Sequence, residues 1–208
     1  MIARTFITIC STFLFACSNN TTNKNAQQQV QAPETIAQAV PERNDTTAWI
    51  ESFKAFRTAL YQGNKKEIKT FFSFPVMNRN NEIWYLVQGD EKALENLSEE
   101  IKPFTEKDFD KYYPLLFPKE FVTTLLKIKS DSLFKTGEAA SPVRKEGNTS
   151  YQLTATHNRD DKTLSLHLYS ETSFDNEGEE EKAEASVMYY FNIIDNKRIE
   201  FKEVRIAG

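Results

Sequence analysis

Two runs of alternating apolar and polar residues constrain this chain more than any other feature. In the first, Tyr151, Leu153 and Ala155 alternate with Gln152, Thr154 and Thr156; in the second, Leu164, Leu166 and Leu168 alternate with Thr163, Ser165, His167 and Tyr169. A period of two marks a strand with one face buried. Folding the chain back at Asp160-Asp161 sets Arg159 opposite Lys162, Leu153 opposite Leu168 and Ala155 opposite Leu166. A slip of one residue would turn every apolar side chain outward, so the matched parity fixes the register. The polar face of this hairpin carries Gln152, Thr154, Thr156, Ser165, His167 and Tyr169. It is the candidate interaction face.

A second hairpin is predicted from Ala185 to Ile194 and from Arg198 to Ile206, turning at Asp195-Asn196-Lys197 and placing Phe191 opposite Phe201 and Ile193 opposite Ile199. The segments before these hairpins read as helical. Trp49, Phe53, Phe56 and Leu60 form one stripe of a 3.6-residue period, capped by Thr46 or Thr47 and ended at Gly63. Asn64 and Glu67 form a capping pair for a short helix that buries Ile68, Phe71 and Phe72 and stops before Pro75. Val76 to Val87 reads as a hairpin around Asn78-Arg79-Asn80-Asn81, with Ile83 to Val87 as its better strand, and Glu91 to Leu97 as a short helix or ordered loop. Thr105 caps a turn carrying Phe109, Tyr112 and Tyr113, which Pro114 is expected to interrupt. Pro118 starts a helix with Phe121, Leu125 and Leu126, and a last turn at Leu133 and Phe134 stops at Gly137. Helices first and an antiparallel meander last predict an α+β domain, with N-terminal helices packed on one face of a curved sheet.

The first residues read MIARTFITICSTFLFAC: one basic residue, Arg4, then an apolar run from Thr5 to Phe15. A run of about 7–15 apolar residues is too short to span a bilayer and has the form of an export signal. Leu14-Phe15-Ala16-Cys17 resembles the lipobox of bacterial lipoproteins. The resemblance implies a signal peptide at 1–16, acylation of Cys17 and the membrane as a partner. Each buried acyl methylene contributes about 0.8 kcal/mol, so the several chains usual at such a cysteine hold permanently. Ser18 is not acidic and no Asp or Glu precedes Glu34. The sorting rules of such lipoproteins then imply the outer membrane, facing the periplasm. Residues 17–45 are rich in Asn, Gln, Thr and Ala and lack aromatics, a composition that cannot offset its ordering entropy. As a flexible tether of ~28 residues, this tract would span roughly 30 Å.

The expected single domain is 46–208. With Cys10 leaving in the signal and Cys17 acylated, that domain has no disulfide and must rest on its core. About 160 residues suffice, since such a domain buries close to 70% of its unfolded surface, and 13 of the chain's 16 Phe and all 8 Tyr supply the area. The formal net charge is −4, one unit more negative once Arg4 is removed. No basic cluster is present, which argues against nucleic acid and against electrostatic docking on anionic lipid.

The segments FKAFRTALYQGNKKEIKTFFSFPV (53–76) and YYFNIIDNKRIEFKEVRIAG (189–208) resemble the opening and closing of nuclear transport factor 2-like domains. These begin with a long helix, a Gly-Asn or Gly-Asp break and a short helix, and end in long antiparallel strands wrapped as a cone. The fold hosts isomerases, dehydratases, ligand binders and adaptors, so it does not select a function; sheet faces in it often form dimers.

No residue pattern calls for a cofactor or a metal. There is no HExxH, CxxC or Gly-x-Ser-x-Gly. Strand parity puts His157 and His167 on opposite faces. The acidic run from Asp175 to Glu181 lacks EF-hand spacing and reads as a charged connection between strands. A ketosteroid-isomerase-like site would need a base and an oxyanion donor inside the cone. Tyr85, Tyr112, Tyr113, Tyr189 and Tyr190 offer hydroxyls, but the first hairpin has no inward carboxylate, and Glu200 and Glu203, flanking Lys202, read as solvent-facing. Two functions remain. The first is a membrane-anchored, non-catalytic binding module whose partner is an envelope protein, a small ligand or a second copy of itself. The second is a small isomerase-like envelope enzyme acting on an apolar ligand.

Overall fold

The computed structural model describes residues 48–89, 100–176 and 179–207. Cys17, the tether, Thr46, Thr47 and the Glu91–Leu97 segment lie outside the described residues. The described part is α+β: helices on one face of a curved antiparallel sheet. Its helices are α1 (Ala48–Gln62), α2 (Lys65–Lys69), α3 (Glu82–Gln88), α4 (Glu106–Leu116), α5 (Lys119–Leu125) and α6 (Ser130–Thr136). The strands are β1 (Glu138–Ala140), β2 (Arg144–Glu146), β3 (Thr149–Asn158), β4 (Thr163–Asn176), β5 (Glu179–Ile194) and β6 (Arg198–Ala207), in the order β1-β3-β4-β5-β6 with β2 also on β3.

The first hairpin has the register that parity demands, Leu153 pairing with Leu168 and Ala155 with Leu166. The second pairs Phe191 with Phe201 and Ile193 with Ile199. A bulge between Tyr190 and Phe191 then shifts the ladder, so that Tyr190 faces Glu203. Lys202 is the extra residue. Ile199 and Phe201 before the bulge and Val204 after it are all buried, which strict alternation would forbid.

α1 buries Trp49, Phe53, Phe56 and Leu60 as its stripe predicts. Gly63 adopts φ 62°, and the Asn64 side chain accepts from the Glu67 amide.

Three expectations are corrected. Residues Ile83 to Val87 form helix α3 instead of a strand. Ile83, Trp84 and Val87 are the buried positions, a helical spacing, and a 3-10 turn at Arg79–Asn81 with Asn80 and Asn81 at positive φ leads into it. Pro114 does not interrupt α4, which runs through it to Leu116 behind a Thr105–Asp108 capping box. A helix-interior proline strips the i−4 carbonyl of its donor; here that carbonyl, on Asp110, accepts from Lys65 Nζ at 3.0 Å. The acidic run is not a loose connection, because β4 and β5 pair out to Asn176 and Glu179.

Aromatic rings fill the space between sheet and helices. Phe56 meets Phe71, Phe117 and Phe191 edge-on at 5.1–5.8 Å. Phe72 stacks on Phe201 at 4.6 Å, and Phe121 lies 4.2 Å from Tyr189. Edge-to-face pairs add about 0.5–1.5 kcal/mol each beyond area burial. Tyr189 is fully buried, donates to the Leu116 carbonyl at 2.9 Å, and its ionisation is strongly suppressed by burial.

The outer edge of β6 is satisfied by the helical layer. Ile199 N–H donates to Ser52 Oγ, Phe201 N–H to the Phe71 carbonyl and Ile206 N–H to Glu82 Oε2. Buried Asn78 serves Val204 twice: its Oδ1 accepts from the Val204 amide at 2.7 Å and its Nδ2 donates to the Val204 carbonyl at 3.1 Å. Removing it strands two buried backbone groups, each costing about 1–3 kcal/mol. Asn78→Ala is therefore expected to lower unfolding free energy by about 2–5 kcal/mol in urea titration, well beyond the usual cost of losing a surface amide.

Candidate functional site: the uncovered sheet face

The six residues singled out from sequence fall on one face, pairing directly across β3 and β4: Gln152 with Tyr169, Thr154 with His167 and Thr156 with Ser165. The register extends the face onto two further strands. His167 faces Met188, which faces Arg205; Ser165 faces Tyr190, which faces Glu203; Tyr169 faces Ser186. The core side chains Leu153, Ala155, Leu166, Tyr189 and Phe191 occupy the alternate positions, so the helices cover the other side.

Local chemistry differs across this face. Gln152 is held at the β3 edge, its Nε2 donating to the Ser141 carbonyl at 3.1 Å. The Nε2 of His167 is buried without a hydrogen-bond partner. Desolvation and then a hydrogen bond with Glu184 raise the Tyr169 hydroxyl above its ordinary range.

The expectation that Glu203 faces solvent fails. Glu203 is 7% exposed; its Oε1 accepts from Arg205 Nη2 at 2.7 Å, and the guanidinium lies 4.7 Å from the Tyr190 ring. The bulge brings Glu203 and Arg205 onto this face, and no sequence periodicity announces it. Glu200 is half-buried and paired with Arg198 at 2.7 Å.

His157 lies on the opposite, helix-covered side, its ring centroid 4.4 Å from that of Trp49. Burial and then the Arg159 charge hold its pKa below the usual imidazole value. Among the described residues no group of three or more His, Cys, Asp or Glu converges to hold a metal ion.

Among the cavities elsewhere on the described surface, two are large. One, of about 460 Å³, lies between α5 and the β1–β2 connection and is lined by Thr123, Leu126, Pro142, Val143 and Arg144 among others. The other, of about 540 Å³, lies at the hairpin tips beside Trp49 and His157. Sequence reading missed both, because each joins residues far apart in the chain.

No protein-family model matches the chain, and no curated protein matches it. A crystal structure from Shewanella frigidimarina described as a "putative ketosteroid isomerase" is a structural match at 9% identity and a TM-score of 0.28, covering 76% of this chain and 92% of that one.

The depressed pKa of His157 has a consequence for stability. Between that folded value and the unfolded value of about 6.5 the unfolded chain binds more protons, so the His157 contribution to stability rises with pH across that window and is lost as pH falls through it. His157→Phe is expected to flatten this part of the melting-temperature profile. An equally steep profile in the variant would assign the slope to other groups.

Proposed function

We propose that this chain is a membrane-anchored lipoprotein of the cell envelope. Its domain, of the nuclear transport factor 2-like kind, acts as a non-catalytic interaction module that pairs with a second copy through the uncovered sheet face. The observation that carries the reading is the composition of that face. Its centre on β4 and β5 consists of Ser165, His167, Tyr169, Ser186, Met188 and Tyr190, none carrying a fixed charge, in a chain that is 27% charged. A two-fold interface brings each residue near its own copy, so a neutral centre avoids like-charge contact. Tyrosine and methionine are enriched in such centres. The paired Glu203 and Arg205 lie at the β6 margin, where a polar rim belongs.

Two features support the finer parts of the reading. Element order, with a long helix, a Gly-Asn break, a short helix and closing long strands, supports the fold assignment. The Leu14–Cys17 sequence supports anchoring, with the periplasmic side of the outer membrane as the site. The filled aromatic interior favours a surface role over the isomerase-like alternative, since an apolar substrate would have to displace Phe56, Phe72, Phe117 or Tyr189.

The chain from residue 18 onward is expected to sediment as a dimer, and His167→Glu and Met188→Glu to weaken association about tenfold or more by placing like charges at the centre. A monomer at every concentration, or a dimer indifferent to both changes, overturns the pairing. For anchoring, radioactive palmitate fed to the native host is expected to label the wild-type protein and not Cys17→Ser. An unlabelled wild-type protein overturns that part alone.

A further inference from the structure

We infer that the cavity at the hairpin tips is a binding site for a small aromatic acid, a single carboxylate on a flat apolar body. It is independent of the proposed pairing face, because His157 in its wall points to the opposite side of the sheet. Its volume of about 540 Å³ suits a small ligand, such pockets running roughly 300–1,000 Å³. The wall comes from five places: Trp49 in the first turn of α1, Phe134 and Lys135 at the end of α6, His157 at the end of β3, Arg159 and Lys162 in the β3–β4 turn, and Asn196 in the β5–β6 turn.

The chemistry of the wall divides in two. Trp49, Phe134 and His157 form an aromatic side, with Trp49 lying 4.4 Å from His157 and 6.4 Å from Phe134 between ring centroids. The other side carries Lys135, Arg159 and Lys162, and no described lining residue is acidic. This concentration of positive charge occurs in a chain of net charge −4. Among the described residues none of the three cations forms an ion pair. Arg159 only donates weakly to the Lys135 carbonyl at 3.4 Å. In the β3–β4 turn, the Asp161 carboxylate accepts from Asn158 Nδ2 at 2.7 Å.

Three cations lining one cavity, with no ion pair among the described residues, repel one another, and an anion seated among them relieves that repulsion. Arg159 can bind a carboxylate through two parallel N–H donors. Within the aromatic wall, Nδ1 of His157 is buried with no hydrogen-bond partner. Burial and Arg159 favour the neutral ring, which suits stacking against a flat ligand. A free inorganic anion would leave the aromatic side wet, and a neutral ring would leave the cations unpaired. An aromatic acid satisfies both.

The test follows the fluorescence of Trp49; both tryptophans are buried, but only Trp49 lines the cavity. Phenylacetate is the probe, with 2-phenylethanol as the ring without the charge and acetate as the charge without the ring. Phenylacetate is expected to change the emission saturably, and both controls to bind about tenfold more weakly or worse. The Arg159→Gln/Lys162→Gln pair, both on an exposed turn, is expected to weaken phenylacetate by about tenfold or more while the near-ultraviolet circular dichroism of the fold is retained. No saturable change, equal binding of the neutral alcohol, or unchanged affinity in the folded double variant overturns the inference. So does a response to anionic phospholipid vesicles without one to phenylacetate, which would make the cations a membrane contact.

Discussion

The closed edge of β6 is the constraint from which the rest of this structure follows. An outermost strand exposes alternate amides and carbonyls that would template another strand. Here the helical layer takes them up through Ser52, Phe71, Asn78 and Glu82. Each bond is also a spacer, fixing where α1, the segment after α2, and α3 sit along the sheet. The side chain of Asn78 imitates a neighbouring strand at Val204, donating and accepting in the same place. An apolar residue there would preserve burial but lose the registration between layers. Because this edge is occupied, association by strand addition at β6 is blocked, and the broad surface left over is the sheet face away from the helices.

That registration lets the aromatic interior pack. Rings such as Phe72, which touches Phe74, Phe109, Phe117 and Phe201, tolerate little displacement before contacts are lost, since dispersion falls steeply with distance. Tyr189 shows the same economy: its hydroxyl meets the Leu116 carbonyl near the end of α4, where a helix has carbonyls without internal donors. This hydroxyl, carried into the aromatic layer, thus ties sheet to helix. With no disulfide available to the domain, it is this packing that holds the layers together.

The legible part of the fold was the part governed by short-range rules. The β3–β4 register follows from parity alone, and the α1 stripe and the Asn64 cap follow from local spacing. The errors share a cause. Ile83, Trp84, Leu86 and Val87 crowd four apolar residues into five positions, which satisfies a buried strand and a helix equally. The choice was made by Asn81 and Trp84 reaching the chain at residues 100–102, with Asn81 Oδ1 accepting from the Lys102 amide and Trp84 Nε1 donating to the Lys102 carbonyl. Pro114 is tolerated because Lys65, remote in sequence, supplies the missing donor. For the candidate face, sequence gave its β3 and β4 half. The β5 and β6 half depends on pairing partners and on a bulge that periodicity does not reveal.

The bulge in β6 decides two things at once. If β6 alternated strictly through Lys202, with no bulge, Val204 and Ile206 would point away from the helices, and Glu203 and Arg205 would point into the aromatic layer. Two charges would then enter a space lined by Phe72, Phe191 and Tyr189, where even a paired ion loses several kcal/mol of hydration. Shifting the ladder by one residue returns Val204 to the core, with no exposed surface, and puts the Glu203–Arg205 pair beside Tyr190 on the open face. One irregularity therefore completes the core and supplies the charged margin of the face. The hairpin tips lie before the bulge, so the cationic cavity there is unaffected by the shift. Face and cavity are consequently separable features of one domain.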